Sequence, residues 1–306
     1  MNIREWALPF YTILIQMSVG TLLVLWTLRL FGSKKFDKEV IDQVVRDPLL
    51  IILTTIVIGM IGAHFHLSRP YLSFLAVSNF RTSWLSREIV FTLLFFLCTA
   101  VLWFFQWYRD GRWGFKTVLG WLAILFGVVT VYCMGRIYLL PTQAAWNMPE
   151  TILAFYGSML LLGVLALAAI LIMDLRFMEV RQKGALTEWT IIVNKAVKQL
   201  AVAAGVFLIP VLIVNLFYLY SLRTGTGLAQ TSYDLLMELY KPLLIIRFLL
   251  LIAGVSWLIV SVVLKERTSK RVQDIFSPAY LACLMVLVGE ILGRFLFYAD
   301  HIRMGL

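Results

Sequence analysis

Long apolar runs recur along the chain, separated by short polar connections. Their length is the first thing the pattern fixes. A bilayer core takes about 20 apolar residues per helix, and runs of that kind occupy roughly 9–31, 49–67, 87–108, 117–140, 152–174, 196–222, 243–264 and 279–302. The pattern predicts an all-α integral membrane protein with eight transmembrane helices in one domain, 1–306. No connection is long enough for a soluble domain, and neither an internal repeat nor a low-complexity segment stands out. The first run has spanning length and no small-residue cleavage pattern after it, so it is expected to be retained as a helix.

Composition agrees with that division. The chain is 61% hydrophobic and 14% charged, which leaves too little polar surface for a soluble protein of this length. Its net charge of +10 is scattered over short loops, which fits topogenic basic residues and no nucleic-acid partner. One set of connections holds sixteen lysines and arginines: Lys34, Lys35, Lys38 and Arg46; Arg109, Arg112 and Lys116; Arg176, Arg181, Lys183, Lys195 and Lys198; Lys265, Arg267, Lys270 and Arg271. The opposite set holds seven, Arg4, Arg69, Arg81, Arg87, Arg223, Lys241 and Arg303. That asymmetry predicts both termini on the outer side of a cytoplasmic membrane.

Cys98, Cys133 and Cys283 lie far apart within apolar runs, without a C-x-x-C pair. Neither an iron–sulfur cluster nor a metal site is expected. Only three histidines are present, His64, His66 and His301. All fall near one surface, so a di-haem cytochrome, which needs facing ligand pairs at two depths, is not expected.

Ionisable groups in spans cost roughly 2.5–3.5 kcal/mol each on insertion scales and call for a reason. Arg29 and Arg247 lie near span ends, where snorkelling suffices. In the last run, VGEILGRFLFYADHIRMG, Glu290, Arg294, Tyr298 and His301 share one helical stripe. They read either as an intrahelical Glu290–Arg294 ion pair that pins the helix, or as a polar wall facing a headgroup or a proton route. Arg136 and Tyr138 precede a second outer loop carrying Trp146, a residue common at membrane interfaces.

The densest polar stretch is HFHLSRPYLSFLAVSNFRTSWLSRE, residues 64–88, between the second and third runs. His66 ends one run and Glu88 opens the next. His64 and His66 are separated by about 200° around a helix, so only one can face a given site. A histidine and a half-buried carboxylate near one membrane surface suit the oxidation of a quinol, which must shed two protons. Nearby arginines can hold the carboxylate or steady developing negative charge.

The motifs HFHLSRP, RTSWLSREI, MGRIY with PTQAAWNMP, and GEILGRFLFYADHIRMG, together with REWALP and QMSVG in the first run, resemble the membrane anchor subunit of the dimethyl sulfoxide reductase family. The resemblance runs from Glu5 to Gly305. It implies a haem-free subunit that oxidises menaquinol and passes electrons to a four-cluster iron–sulfur subunit. That subunit would feed a molybdenum or tungsten bis-pterin catalytic subunit, docked on the outer side, in anaerobic respiration. By the same resemblance, His66 and Glu88 belong to the quinol site. Arg69, Arg81, Arg136 and Tyr138 are further pocket candidates on the reading of the residues alone. Glu290, Arg294, Tyr298 and His301 form a secondary polar stripe. The basic connection RFMEVRQKGALTEWT and the outer loop RTGTGLAQTSYDLLMELYKP are not explained by these motifs. Two other readings remain at this level. One is a secondary transporter or proton conductor using Glu290, Arg294 and His301; the other is an anchor whose polar groups only join helices.

Overall fold

The computed structural model describes residues 3–64, 75–109, 111–182, 188–264 and 273–300. Within them lie eight helices long and apolar enough to cross a membrane. In chain order the elements are α1 (Ile3–Gly32), α2 (Lys38–His64), α3 (Trp84–Tyr108), α4 (Trp113–Tyr138), α5 (Pro149–Gln182), α6 (Glu188–Thr224), α7 (Leu228–Glu238), α8 (Lys241–Ile259, extended by a π-helical turn Val260–Leu264) and α9 (Gln273–Ala299). All but the short α7 are membrane-crossing candidates. Lipid supplies no hydrogen-bond partners for the backbone, so each apolar run must satisfy its amides internally, and a helix does so.

Neighbour relations resolve the bundle into two rings. Helix α1 packs on α2 and α4, α2 on α3, and α3 on α4. In the second ring α5 packs on α6 and α9, α6 on α8, and α8 on α9. The rings share a seam where α1 lies against α5. The duplication exists in neighbour order, although no repeat is visible in the residues themselves. Small residues make the seam possible: a Cβ on Gly163 would overlap the backbone of Gly20, and one on Gly20 would strike the Met159 carbonyl. Between membrane helices such close backbone approach replaces the absent hydrophobic drive. Ile15, Val19 and Leu22 from α1 and Leu161, Val164 and Leu167 from α5 are fully buried around it.

Several helices run past the apolar runs into charged sequence. Helix α2 begins at Lys38, and α5 and α6 extend to Gln182 and from Glu188, so much of the basic 175–195 connection is helix. The outer connection 223–242 contains the amphipathic α7, whose Ala229, Ser232 and Leu236 are buried. Helix α3 turns into α4 through Gly111 (φ +73°) and Arg112 (φ +52°), two left-handed residues in succession.

At the basic end the expected snorkelling of Arg29 does not occur. Its side chain is 1% exposed and donates from Nε to Asp42 Oδ1 at 2.9 Å and from Nη1 to Thr117 Oγ1 at 2.8 Å. Lys116 reaches the other carboxylate oxygen at 3.2 Å and is 2% exposed. Gln106 Nε2 donates to the Asp42 carbonyl, and the Arg29 guanidinium lies 3.4 Å from the ring centre of Trp113. An inward pair is available because α2 starts at Lys38 and brings Asp42 round within its first turns. A lone terminal arginine would have had only lipid headgroups to reach.

Candidate functional site

Helix α3 starts after Ser83, and Arg87 ties the preceding loop to it by donating to the Phe80 carbonyl (3.0 Å) and the Arg81 carbonyl (2.6 Å). This fastening turns the next residue inward. Glu88 is 5% exposed, and Thr92, four residues on, shares its face of the helix. Opposite them, Tyr11 of α1 lies 3.1 Å from Thr92 Oγ1 and is a hydrogen-bond neighbour of the Glu88 carboxylate. Phe95, fully buried one turn deeper, closes the floor. A carboxylate thus lies at one end of the first ring beside a phenol that is itself hydrogen-bonded to a threonine, with apolar packing beneath.

Around this carboxylate, Trp84 carries two cations, Arg87 at 4.2 Å and Arg136 at 4.9 Å from its ring centre. Arg136 keeps a buried Nε without a partner among the described residues. The Tyr138 and Tyr298 hydroxyls hydrogen-bond to each other and join α4 to α9. Tyr138 interacts electrostatically with both Glu88 and Arg294. Trp146 stacks on Phe297 and donates to its carbonyl at 2.7 Å, which seals the aromatic group over the seam between the rings.

The stripe on α9 departs from the intrahelical pairing expected of it. Among the described residues the only ion pairs are those of Asp42. Arg294 instead donates from Nη2 to Gln16 Oε1 at 2.8 Å and lies 3.6 Å from the ring centre of Phe155. Glu290 accepts from Ser158 Oγ at 2.6 Å. Each side chain has a partner on another helix, Glu290 on α5 within the second ring and Arg294 on α1 across to the first, and no ion pair joins the i, i+4 neighbours to each other.

Of the residues singled out from sequence, Glu88, Arg136, Tyr138 and Tyr298 converge on one end of the bundle, with Arg294 and Glu290 following inward. Arg81 is exposed and contributes its carbonyl to Arg87. His66, Arg69 and His301 lie outside the described residues. His64 is exposed, with Nδ1 2.8 Å from the Met60 carbonyl of its own helix. Sequence reasoning missed Tyr11 and Thr92, because a tyrosine near a span end reads as an interfacial anchor and a threonine carries no signal. It also missed Glu150, Tyr218 and Asp300, which with Arg247 surround a cavity of about 60 Å³ in the second ring. Arg247 faces that cavity and does not snorkel. Asp300, 1% exposed, accepts from Tyr218 at 2.5 Å; burial lifts its carboxyl to about 7, against the Tyr218 hydrogen bond that lowers it.

Comparison with known proteins decides what kind of protein this is. Residues 1–299 match the family described as DMSO reductase anchor subunit (DmsC). The chain belongs to that family. The anaerobic dimethyl sulfoxide reductase chain YnfH of Escherichia coli (strain K12) is 28% identical to this anchor subunit, over 99% of it and 97% of the relative. An anaerobic dimethyl sulfoxide reductase chain of Haemophilus influenzae is 26% identical over 100% of this anchor and 99% of the relative. A sulfite dehydrogenase subunit of Allochromatium vinosum is similar over 48% of each protein, at 26% identity. The multi-pass membrane character and the anchor role in a reductase-type complex follow from this membership together with the eight apolar helices.

Proposed function

We propose that this anchor subunit binds and oxidises menaquinol at the end of the first ring where Glu88 lies. The observation that carries the reading is Glu88 itself, a carboxylate buried at 5% exposure with no ion pair among the described residues. A structural carboxylate at that depth would ordinarily be matched by a cation. A carboxylate that has to take a proton gains from standing unpaired, in reach of a phenol and a threonine. The quinol hydroxyl would donate to Glu88, and its proton would pass there as two electrons leave one at a time for an oxidised iron–sulfur centre of the partner subunit. Tyr11 and Thr92 would hold the carboxylate in place through the transfer, and Arg136 on Trp84 would supply positive potential where negative charge develops. His66, assigned to the same site by its motif, would serve the second hydroxyl.

The electrons would continue through a four-cluster iron–sulfur subunit to a molybdenum or tungsten bis-pterin reductase. The basic residues gathered at the opposite end support placing the Glu88 end, both termini and the soluble partners on the outer side of the cytoplasmic membrane. The test is Glu88→Gln in the intact complex. Quinol-dependent turnover should fall by about 100-fold, in the range of a lost general base, while the soluble subunits stay bound and accept electrons from reduced viologen. Full quinol-dependent turnover in that variant would remove Glu88 from the site.

A further inference from the structure

The second ring holds a polar cavity that the quinol site does not use. Its walls come from four helices and it lies at the same end of the bundle as Glu88. Helix α5 supplies Glu150 and Ser158, α6 supplies Asn215 and Tyr218, α8 supplies Arg247, and α9 supplies Glu290 and Arg294, with Asp300 just past its end. Helix α7 covers it with Leu236. Four buried atoms around this one space have no protein partner among the described residues: Glu150 Oε2, Arg247 Nε, Glu290 Oε1 and Asp300 Oδ1. Buried polar atoms are nearly always satisfied, and a cavity of about 60 Å³ is room for more than one water of the kind that bridges such groups.

We propose that this cavity is a hydrated proton-exit station, taking protons released at the Glu88 site and passing them by Glu290 and Asp300 to water outside the second ring. This rests on the quinol reading given above. The geometry offers one joint between the rings: the Tyr138 hydroxyl of α4 hydrogen-bonds that of Tyr298 on α9. Arg294 lines the cavity. A proton accepted on a lone pair of one hydroxyl releases that hydroxyl's own proton to the next acceptor, so no atom other than hydrogen moves and no redox change is needed in the second ring. Three carboxyls facing two guanidiniums leave the chamber one negative charge in excess when all are ionised, which favours an entering proton. Asp300 is suited to the last position because it closes the chamber at the end of α9, where, among the described residues, Glu150, Tyr218, Arg247, Glu290 and Arg294 are the titratable or charged groups around it.

The experiment uses the whole complex in native membranes, with Asp300→Asn, Glu290→Gln, Asp300→Glu and, as reference, Glu88→Gln. Viologen-dependent turnover reports assembly in each. The expected result is a loss on the order of tenfold in quinol-dependent turnover for Asp300→Asn and Glu290→Gln, with a larger solvent deuterium isotope effect than wild type. Recovery in Asp300→Glu is expected too. If Glu290→Gln fails to assemble, Ser158→Ala, which frees Glu290 without removing it, takes its place with the same expectation. Wild-type rates and isotope effects in the cavity variants, alongside a slow Glu88→Gln, overturn the exit route and leave the quinol site standing. A normal Glu88→Gln overturns both.

Discussion

Among the described residues Asp42 is the only carboxylate paired with two buried cations, and replacing it by asparagine isolates what that costs. Arg29 and Lys116 are 1% and 2% exposed in their side chains, while Asp42 is 18% exposed. The asparagine can still hydrogen-bond one of them but neutralises neither. Removing one partner of a buried pair costs about 3–5 kcal/mol because the remaining charge stays desolvated. Here two charges remain, while the Trp113 and Trp26 faces on which Arg29 lies are the same before and after the substitution and drop out of the difference. We expect a net loss of about 3–4 kcal/mol, or a factor of several hundred in the folded population. Unfolding in a mixed-micelle titration with an ionic detergent would read it directly. The companion variant, Asp42→Leu with Arg29→Met and Lys116→Met, removes all three charges and should recover most of the loss, since a complete apolar replacement of a buried ion cluster is often neutral. The cluster lies at the opposite end from Glu88, so the fraction of complex that assembles should oxidise quinol at the normal rate. Undiminished stability in Asp42→Asn would refute the accounting. Normal stability with slow quinol oxidation would recast the cluster as part of the electron or proton machinery.

Gly163→Ala should destabilise the α1–α5 seam and lower the yield of assembled complex, because its Cβ meets the Gly20 backbone and helices cannot yield as a side chain can; membrane yield beside Gly111→Ala, in open space though at positive φ, measures the steric share. The pH profile of stability should carry a trace of Asp300. Its folded carboxyl sits at about 7 and the unfolded one near 3.9, so the folded state holds the proton more tightly. Stability is then highest below about pH 4, declines as pH rises toward 7, and is flat above. Asp300→Asn should flatten the decline in a thermal melt followed from about pH 4 to 8; an unchanged slope would assign it to another group.

What was readable from sequence divides along physical lines. Spans such as α8, KPLLIIRFLLLIAGVSWLI, announce themselves because lipid demands uninterrupted apolar length. Glu88 stands out in sequence because a carboxylate at a span edge is costly wherever it points, and the structure buries it; the role its motif suggests is part of the proposal. Tyr11 does not stand out, since its importance comes from facing Glu88 from another helix, and sequence spacing on one helix says nothing about another; Thr92 shares the face of Glu88, but its role shows only in its hydrogen bond to Tyr11. The same limit applies to the intrahelical Glu290–Arg294 pair, one of the two readings of that stripe: i, i+4 geometry is local, whereas the partners each side chain takes, Ser158 and Gln16, depend on which helices pack against α9. Arg29 and Arg247 were read by distance from a span end, which tells how far a side chain can reach outward but not whether a better partner waits inside. Helix α7 hid in a connection whose moderate polarity resembles a loop until the bundle offers its apolar face a place to rest.

The seam between α1 and α5 has a consequence for how the protein is made. Helix α1 ends up at the centre, pressed against α5, which is synthesised well over a hundred residues after it, and bonded through Gln16 to Arg294 on α9, later still. Until those arrive, α1 sits in the membrane with its small-residue face against lipid and Gln16 unserved. Synthesis order and packing order are thus opposed, and maturation is a closing event that waits for α9.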